Sequence, residues 1–437
     1  MIKKGEYHPD QYQEYLRNHY PRNMAVNILD VGFFQFAMAI ISVAVVMPAF
    51  AVKLGASNLL IGFLPAVIQI GWFLPQLISS FFIEGLVRKK PLLLLSGIFQ
   101  RLPWIVVAVS TFYLAASNPA AALAVFFFCF AVTSFSGGFT ATAWGELIAK
   151  AIPEKMRGTF MGLIQLLGSI LAVLGGFIVK YVMEGGRFSF PLNYTILFSA
   201  ASILLFISFF FFSLNREPIV ITHRKSENLK SYLKWLPVIL KTDRNFLHFI
   251  ISRILGHSNI MGVAFFMAFA LKNFNLKDTI SGNFVIASTA ATVLCSPVLG
   301  KAADRIGHKI ILVFSSLAYL AAVIFALIAW HWYVMYLVFI FMAVSIVCFM
   351  ISMQNIVFEF SPQDQRPTYL GLAGTLSAPF IIFFSFLGGK LADLTDIGYK
   401  LPFTVSLLLN AVSLIILVFF VSDPRKKKQN LFILEKS

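Results

Sequence analysis

Charge is what this chain has little of. Asp, Glu, Lys and Arg make up 12% of its 437 residues, against about 25% in a soluble globular chain. So few charges cannot cover a water-facing surface of this length. That excludes a soluble enzyme, a disordered scaffold and a collagen-like rod, and a typical outer-membrane barrel fails because its strands alternate polar and apolar residues. Cysteine is scarce too: Cys129, Cys295 and Cys348 lie inside apolar runs, with no disulfide framework or metal spacing. They read as small buried hydrophobes, and no metal is expected. Acidic residues are outnumbered, 19 against 35 Lys and Arg, for a net charge of +16. In a soluble domain that excess would suggest nucleic acid; here membrane topology accounts for it, so no nucleic-acid partner is expected. Residues 1–23 are polar, with no short apolar core or cleavage site, so no signal peptide is expected. H-E-x-x-H, G-x-S-x-G and G-x-x-x-x-G-K-[ST] are also missing. Without them there is no sign of an intramembrane enzyme or a fused ATPase. No catalytic residue and no cofactor is expected, and any work must draw on a proton or other ion gradient.

What the chain has is long apolar runs: 59% of it is hydrophobic and its mean hydropathy is +0.82. A span needs about 20 mostly apolar residues. Twelve runs qualify, near 24–51, 58–83, 91–115, 120–146, 158–183, 193–213, 246–271, 279–300, 309–330, 333–357, 368–391 and 401–421. The fold class is therefore an all-α polytopic membrane protein. The one long polar gap, 214–245, separates two six-helix halves, 24–213 and 246–421, with an N-terminal arm at 1–23 and a tail at 422–437. With both termini in the cytoplasm, 26 of the 35 basic residues fall in cytoplasmic segments, as the positive-inside rule requires. Within the gap, Leu229, Leu233, Leu236 and Leu240 take one face and Lys230, Lys234 and Lys241 another, with Trp235 nearby. This predicts an amphipathic helix at the cytoplasmic interface, in contact with membrane lipid.

The halves repeat each other. Residues 153–163 read PEKMRGTFMGL and residues 362–372 read PQDQRPTYLGL; Arg22-Asn23 before span one matches Arg244-Asn245 before span seven. A repeat of about 210 residues is too long for a solenoid unit and fits a transporter of two parallel halves. Between spans eight and nine, Gly300, Asp304, Arg305, Gly307 and Lys309 fit G-x-x-x-D-R-x-G-R-[KR], with His308 in one basic place. That loop resembles the signature of the major facilitator superfamily. The first-half copy, Ser80 to Lys89, is degraded: Glu84 replaces Asp, Val87 replaces the second Gly, and Arg88 and Lys89 remain. A second stretch, Glu359 to Arg366, fits E-x-x-P-x-x-x-R through Glu359, Pro362 and Arg366, and is similar to a cytoplasmic loop of facilitator-type sugar porters. Its first-half counterpart keeps Pro153, Arg157 and Gly158 but has Lys150 in place of the Glu.

The physics of these loops is independent of the resemblance. Gly307 can take a positive φ in a tight reversal, Gly300 permits close helix approach, and Asp304 can face a helix N-terminus, where the dipole favours an anion. Ser361 is a candidate N-cap with Pro362 in the first turn. The resemblance implies a conformational latch on the cytoplasmic side, with Glu359, Arg366, Arg157 and Glu84 as ion-pair candidates. The alternative is a well-capped turn placed by topology.

Charges at membrane depth are costly and so are candidates for function. Asp30, Arg253 and Arg101 lie about 10, 12 and 15 Å into spans one, seven and three at 1.5 Å per residue. The facilitator fold implies that spans one, four, seven and ten line the pathway, which would set Asp30 opposite Arg253. Asp30 is then a candidate proton carrier and Arg253 its counter-ion or an anion-binding group; the alternative is a permanent structural pair of Asp30 with Arg253 or Arg101. Other polar candidates on the lining spans are Asn27, Thr140, Trp144, His257, Asn259 and Gln354. The expected function is secondary active transport of a small organic solute by alternating access, proton-coupled, by a monomer in the cytoplasmic membrane. The alternatives left open are an efflux antiporter, for which span five has Gly168, Gly175 and Gly176 but no Pro, and a non-transporting receptor or sensor of the same fold.

Overall fold

A backbone in hydrocarbon has to satisfy its own polar groups, which leaves helices or closed barrels. The computed structural model describes residues 9–42, 46–84, 86–183, 188–219, 229–276, 280–393 and 399–425, and among them are sixteen α-helices and no strand. Eleven helical stretches are long and apolar enough to cross a membrane. The expected second span is the 27-residue helix Asn58–Glu84, whose part Ile70–Ile83 is counted as a shorter apolar helix. The protein is an all-α, multi-pass membrane protein.

The first compact unit comprises Met1–Pro153 and Leu167–Arg224. Its helices are α1 (Pro9–Ile40), α2 (Val46–Lys53), α3 (Asn58–Glu84), α4 (Lys90–Leu114), α5 (Pro119–Ala151), most of α6 (Arg157–Met183) and α7 (Leu192–Ser213). α1 packs on α7, and α4 packs on both α5 and α7. An aromatic cluster of Phe50, Trp104, Phe126, Tyr194 and Phe198 fills the core. The apolar run predicted as span one is divided here: α1 ends at Ile40 and α2 forms separately, while α1 begins at Pro9, inside the stretch expected to be a polar arm.

The second unit comprises Glu154–Leu166 and Lys225–Ser437. The first turns of α6 therefore pack with this unit and not with the half in which their sequence position puts them. Its other helices are α8 (Leu229–Thr242), α9 (Arg244–Gly256), α10 (Asn259–Val263), α11 (Phe266–Asn273), α12 (Ser281–Ile306), α13 (His308–Leu327), α14 (Val334–Phe360), α15 (Arg366–Asp393) and α16 (Lys400–Ile415), the last running on into a π-helical turn at Ile416–Phe420. Span seven is broken into α9, α10 and α11, where the sequence predicts one helix. α8 is the expected amphipathic helix: Leu236 and Ile239 are buried and Lys234 and Lys241 exposed, while the side chains of Leu229 and Leu233 lie outside the described residues.

The two units reproduce one device. Asn23 clasps the chain just after α7, donating from Nδ2 to the Arg216 carbonyl and accepting from the Arg216 N–H, both at 2.8 Å. Asn245, 222 residues on, does the same after α16, donating to the Ser422 carbonyl at 3.0 Å and accepting from its N–H at 2.7 Å. The internal repeat is thus a repeat of contacts as well as of letters.

Candidate functional site

The signature loop turns on one residue. Gly307 stands between α12 and α13 with φ +100°, a conformation that side chains bearing a Cβ rarely adopt. Three residues earlier, Asp304 meets the first turn of α6: it accepts from the N–H groups of Gly158 at 2.6 Å and Thr159 at 2.7 Å, and from the Thr159 hydroxyl at 2.6 Å. These N–H groups have no partner inside their own helix, and the helix dipole favours the carboxylate there. The approach requires glycine on both sides. A Cβ on Gly300 would stand 2.6 Å from the Gly158 carbonyl oxygen, and a Cβ on Gly158 would stand 2.6 Å from that of Gly300.

Around this clasp the charges pair differently from the sequence expectation. Glu359 forms its ion pair with Arg425, from the segment after the last span, at 2.5 Å, and its Oε1 lies 3.9 Å from Nε2 of His308. Arg425 also donates to the Asp304 carbonyl at 3.0 Å. Among the other ion-pair candidates, Arg157 lies over the Phe358 ring at 5.4 Å, and Nε of Arg366 has no hydrogen-bond partner among the described residues. The side chain of Glu84 is outside the described residues. Ser361 does not cap the helix that follows; it ends α14, its N–H donating to the Val357 carbonyl at 3.1 Å. Pro362 instead precedes a 3-10 turn, Gln363–Gln365. Lys309 donates to the Val418 carbonyl, and Arg305 and Arg88 are exposed. In the first unit Glu217, absent from the sequence reading, accepts from the N–H groups of Lys89 and Lys90 at the start of α4. Pro153 precedes the Glu154–Met156 turn leading into α6.

Of the three charges at membrane depth, two find each other. Asp30 pairs with Arg101 at 3.4 Å and accepts from the Ser208 hydroxyl at 2.6 Å. Its counter-ion is Arg101, one of the two partners considered for a structural pair. Arg101 is fully engaged: it also donates to the Leu205 carbonyl at 3.0 Å, the Gly97 carbonyl and Gln100 Oε1 at 3.3 Å, and Ser208 Oγ at 3.1 Å, and it lies over the rings of Phe34 and Phe209. In the second unit Ser252 occupies the position 222 residues after Asp30, and it exchanges hydrogen bonds with Ser413 on α16. A hydroxyl thus links α1 to α7 in the first unit, Ser208 to the Asp30 carboxylate, and α9 to α16 in the second, Ser252 with Ser413.

Arg253 is different. Nε of Arg253 and Nε2 of His257, one turn on, are closed off from solvent without a hydrogen-bond partner. His257 lies edge-on to Phe349, with ring centroids 5.7 Å apart. The backbone carbonyl of Asn259 accepts from Tyr319 at 3.2 Å, and Gln354 is half-buried on α14. Asn27 is spent on Asn215 and on the Asn23 carbonyl. Thr140 donates to its own helix at Ser136 and to Ser96 on α4, while Trp144 is half-buried on α5. A buried pair on that helix, Glu146 with Lys150 at 3.8 Å, escaped the sequence reading because Lys150 counts there as a loop charge. A cavity of about 970 Å³ opens between α4 and α7, walled by apolar residues such as Ile105, Phe112 and Phe206, and it holds none of the candidate residues.

Residues 249–435 match the family model described as Major Facilitator Superfamily, and residues 1–217 match the one described as Sugar (and other) transporter. The chain belongs to the major facilitator superfamily. It is a membrane transporter. No curated protein matches it in sequence. Among solved structures, superfamily members share its fold. The transporter FucP in the outward conformation has a TM-score of 0.72 at 12% identity, over 90% of this chain and 98% of that one. A bacterial homologue of the iron transporter ferroportin, in the outward-facing state, gives 0.71 at 14% identity, over 91% and 98%. The proton:xylose symporter XylE gives 0.69 at 14% identity, over 93% and 97%.

Proposed function

We propose that the protein is a secondary active transporter, moving a small organic solute across the cytoplasmic membrane by alternating access and driven by a proton gradient. It would work as a monomer, need no cofactor, and keep both termini in the cytoplasm. The Asp304 clasp is the observation that carries this reading. One carboxylate gathers three donors from the start of α6, and two glycines let the helices meet there. A contact built from a single side chain can be made and released as a unit, which a two-state carrier needs. Arg425 and Glu359 brace it from the tail and from α14.

Proton coupling rests on Asp30, the one carboxylate deep in α1. Its partners are Arg101 and the Ser208 hydroxyl, one from α4 and one from α7, so a movement of either helix against α1 would change what the carboxylate faces. A permanent structural pair is the second reading, favoured by the full engagement of Arg101.

The test uses Asp304→Asn. An amide oxygen in the place of Oδ2 can still accept from the Thr159 N–H and hydroxyl, while the NH2 group in the place of Oδ1 opposes the Gly158 N–H. The variant is expected to label faster than the Asp304 protein at a cysteine placed near Thr159, in inside-out vesicles, and to change the rate of solute counterflow. Labelling and counterflow both equal to wild type overturn the latch.

A further inference from the structure

The two deep arginines live in opposite circumstances. Arg101 has a carboxylate, a hydroxyl, an amide, two backbone carbonyls and two rings around it. Arg253 has no ion pair among the described residues, and its Nε has no acceptor. A guanidinium stays charged in any protein and offers five N–H donors and no acceptor, so only acceptors supplied by another group can satisfy it.

No described carboxylate of its own unit pairs with it, and four are engaged elsewhere. Asp243 caps α9 through the Phe246 N–H and accepts from Tyr369, Asp304 holds α6, and Glu359 and Asp423 are taken by Arg425. Nor does the scaffold need an arginine at this level. The cross-link that ties α1 to α7 in the first unit is made here by Ser252 with Ser413, and the position 222 residues before Arg253 is Val31. Arg253 is an addition to the repeat and not a part of its framework.

The break in span seven lies beside it. α9 stops at Gly256 and the chain resumes as α10 at Asn259, putting Arg253 and His257 at the C-terminal end of a half-helix. The dipole there favours a cation but supplies no acceptor to the unmet Nε–H. Broken helices at membrane depth are where transporters of several folds gather polar groups for their cargo. His257 adds a second unmet nitrogen four residues on, on the same helix face.

We infer that Arg253, assisted by His257, binds an oxyanion of the cargo, a carboxylate or phosphate, so that the transported solute is an organic anion. The planar fork of the guanidinium matches such a group with two parallel hydrogen bonds. This inference rests on the transporter reading for the word cargo; the anion site itself does not.

The experiment uses the purified full-length protein and its variants Arg253→Gln, Arg253→Lys and His257→Gln. Melting is followed with citrate, malate, benzoate, glycerol 3-phosphate and glucose 6-phosphate. Benzamide, glycerol and glucose are the neutral counterparts, and phosphatidylglycerol is a separate arm. Stabilisation of wild type by at least one soluble anion and not by its neutral counterpart is expected. Its dissociation constant should rise tenfold or more in Arg253→Gln, and less in Arg253→Lys and His257→Gln. Phosphatidylglycerol alone acting through Arg253 would keep the oxyanion site and make a lipid headgroup its occupant, overturning the soluble cargo. No anion stabilising wild type, or equal binding by wild type and Arg253→Gln, overturns the inference. Counterflow of the active ligand in proteoliposomes separates the two claims. Arg253-dependent binding without counterflow sinks the transporter reading and spares the site. Counterflow of a neutral solute, unchanged in Arg253→Gln, does the reverse.

Discussion

Replacing Arg101 with Met should cost this protein much of its stability, and replacing Arg253 with Met should not. Asp30 and Arg101 are both nearly sealed, at 5% and 6% exposure, and their charges lie 3.4 Å apart. At an effective dielectric of about 20 the Coulomb scale of such a pair is about 5 kcal/mol. Removing one partner of a buried pair typically costs about 3–5 kcal/mol, because the other charge is left uncompensated. Arg101→Met leaves Asp30 with the Ser208 hydroxyl as its one remaining partner among the described residues. Asp30→Asn leaves Arg101 its backbone and side-chain acceptors, so about 1.5–3 kcal/mol is expected, the worth of one hydrogen bond to a charged group. The double variant should lose less than the sum, with a coupling of about 2 kcal/mol. Arg253→Met removes a cation that no described carboxylate balances. A charge at the centre of a membrane helix carries about 2.5–3.5 kcal/mol on insertion scales, so this variant should melt at or above wild type. Unfolding in mixed micelles of increasing SDS fraction, followed by tryptophan fluorescence, gives all four values. A coupling of zero between Asp30 and Arg101, or an Arg253→Met variant that loses as much as Arg101→Met, refutes the contrast.

Asp30→Asn also separates the two readings of that carboxylate. If it carries the proton, gradient-driven accumulation is lost while counterflow persists; if it is purely structural, both fall in step with the melting temperature. Gly300→Ala would place a methyl 2.6 Å from the Gly158 oxygen. Overpacking of this kind costs about 1–3 kcal/mol, so a lowered melting point with faster labelling near Thr159 is expected, and unchanged values on both would count against the close contact.

Much of the fold was legible because it is written in long-period features. Apolar runs of span length, basic residues in alternate gaps and the 153–163/362–372 repeat need no tertiary information. Gly307 and Asp304 were legible for a related reason, since a one-residue reversal and an anion at a helix start are local demands. Partner choice was not local. Arg425 belongs to a run of four basic residues that reads as topology, and only folding brings it to Glu359. Span three is not among the spans the resemblance sets along the pathway, yet the long side chain of Arg101 spans the gap between α4 and α1. The break at Gly256 left no proline to announce it, and its Gly-His-Ser-Asn stretch is short enough to sit inside the apolar run from 246 to 271. Ser208 and Ser252 were indistinguishable from the many hydroxyls that merely bond their own helix, as Ser202 and Thr195 do.

The asparagine clasps at Asn23 and Asn245 have a consequence for ancestry as well as for strength. Each fastens the entrance of a helical unit to its exit, so that each unit is, in topological terms, a closed ring whose chain ends meet. A ring of this kind carries its own instructions for closure. Whatever joins the two needs only to reach, and a tandem duplication of a gene encoding one such ring would have produced two foldable bundles at once, without first inventing a connection between them.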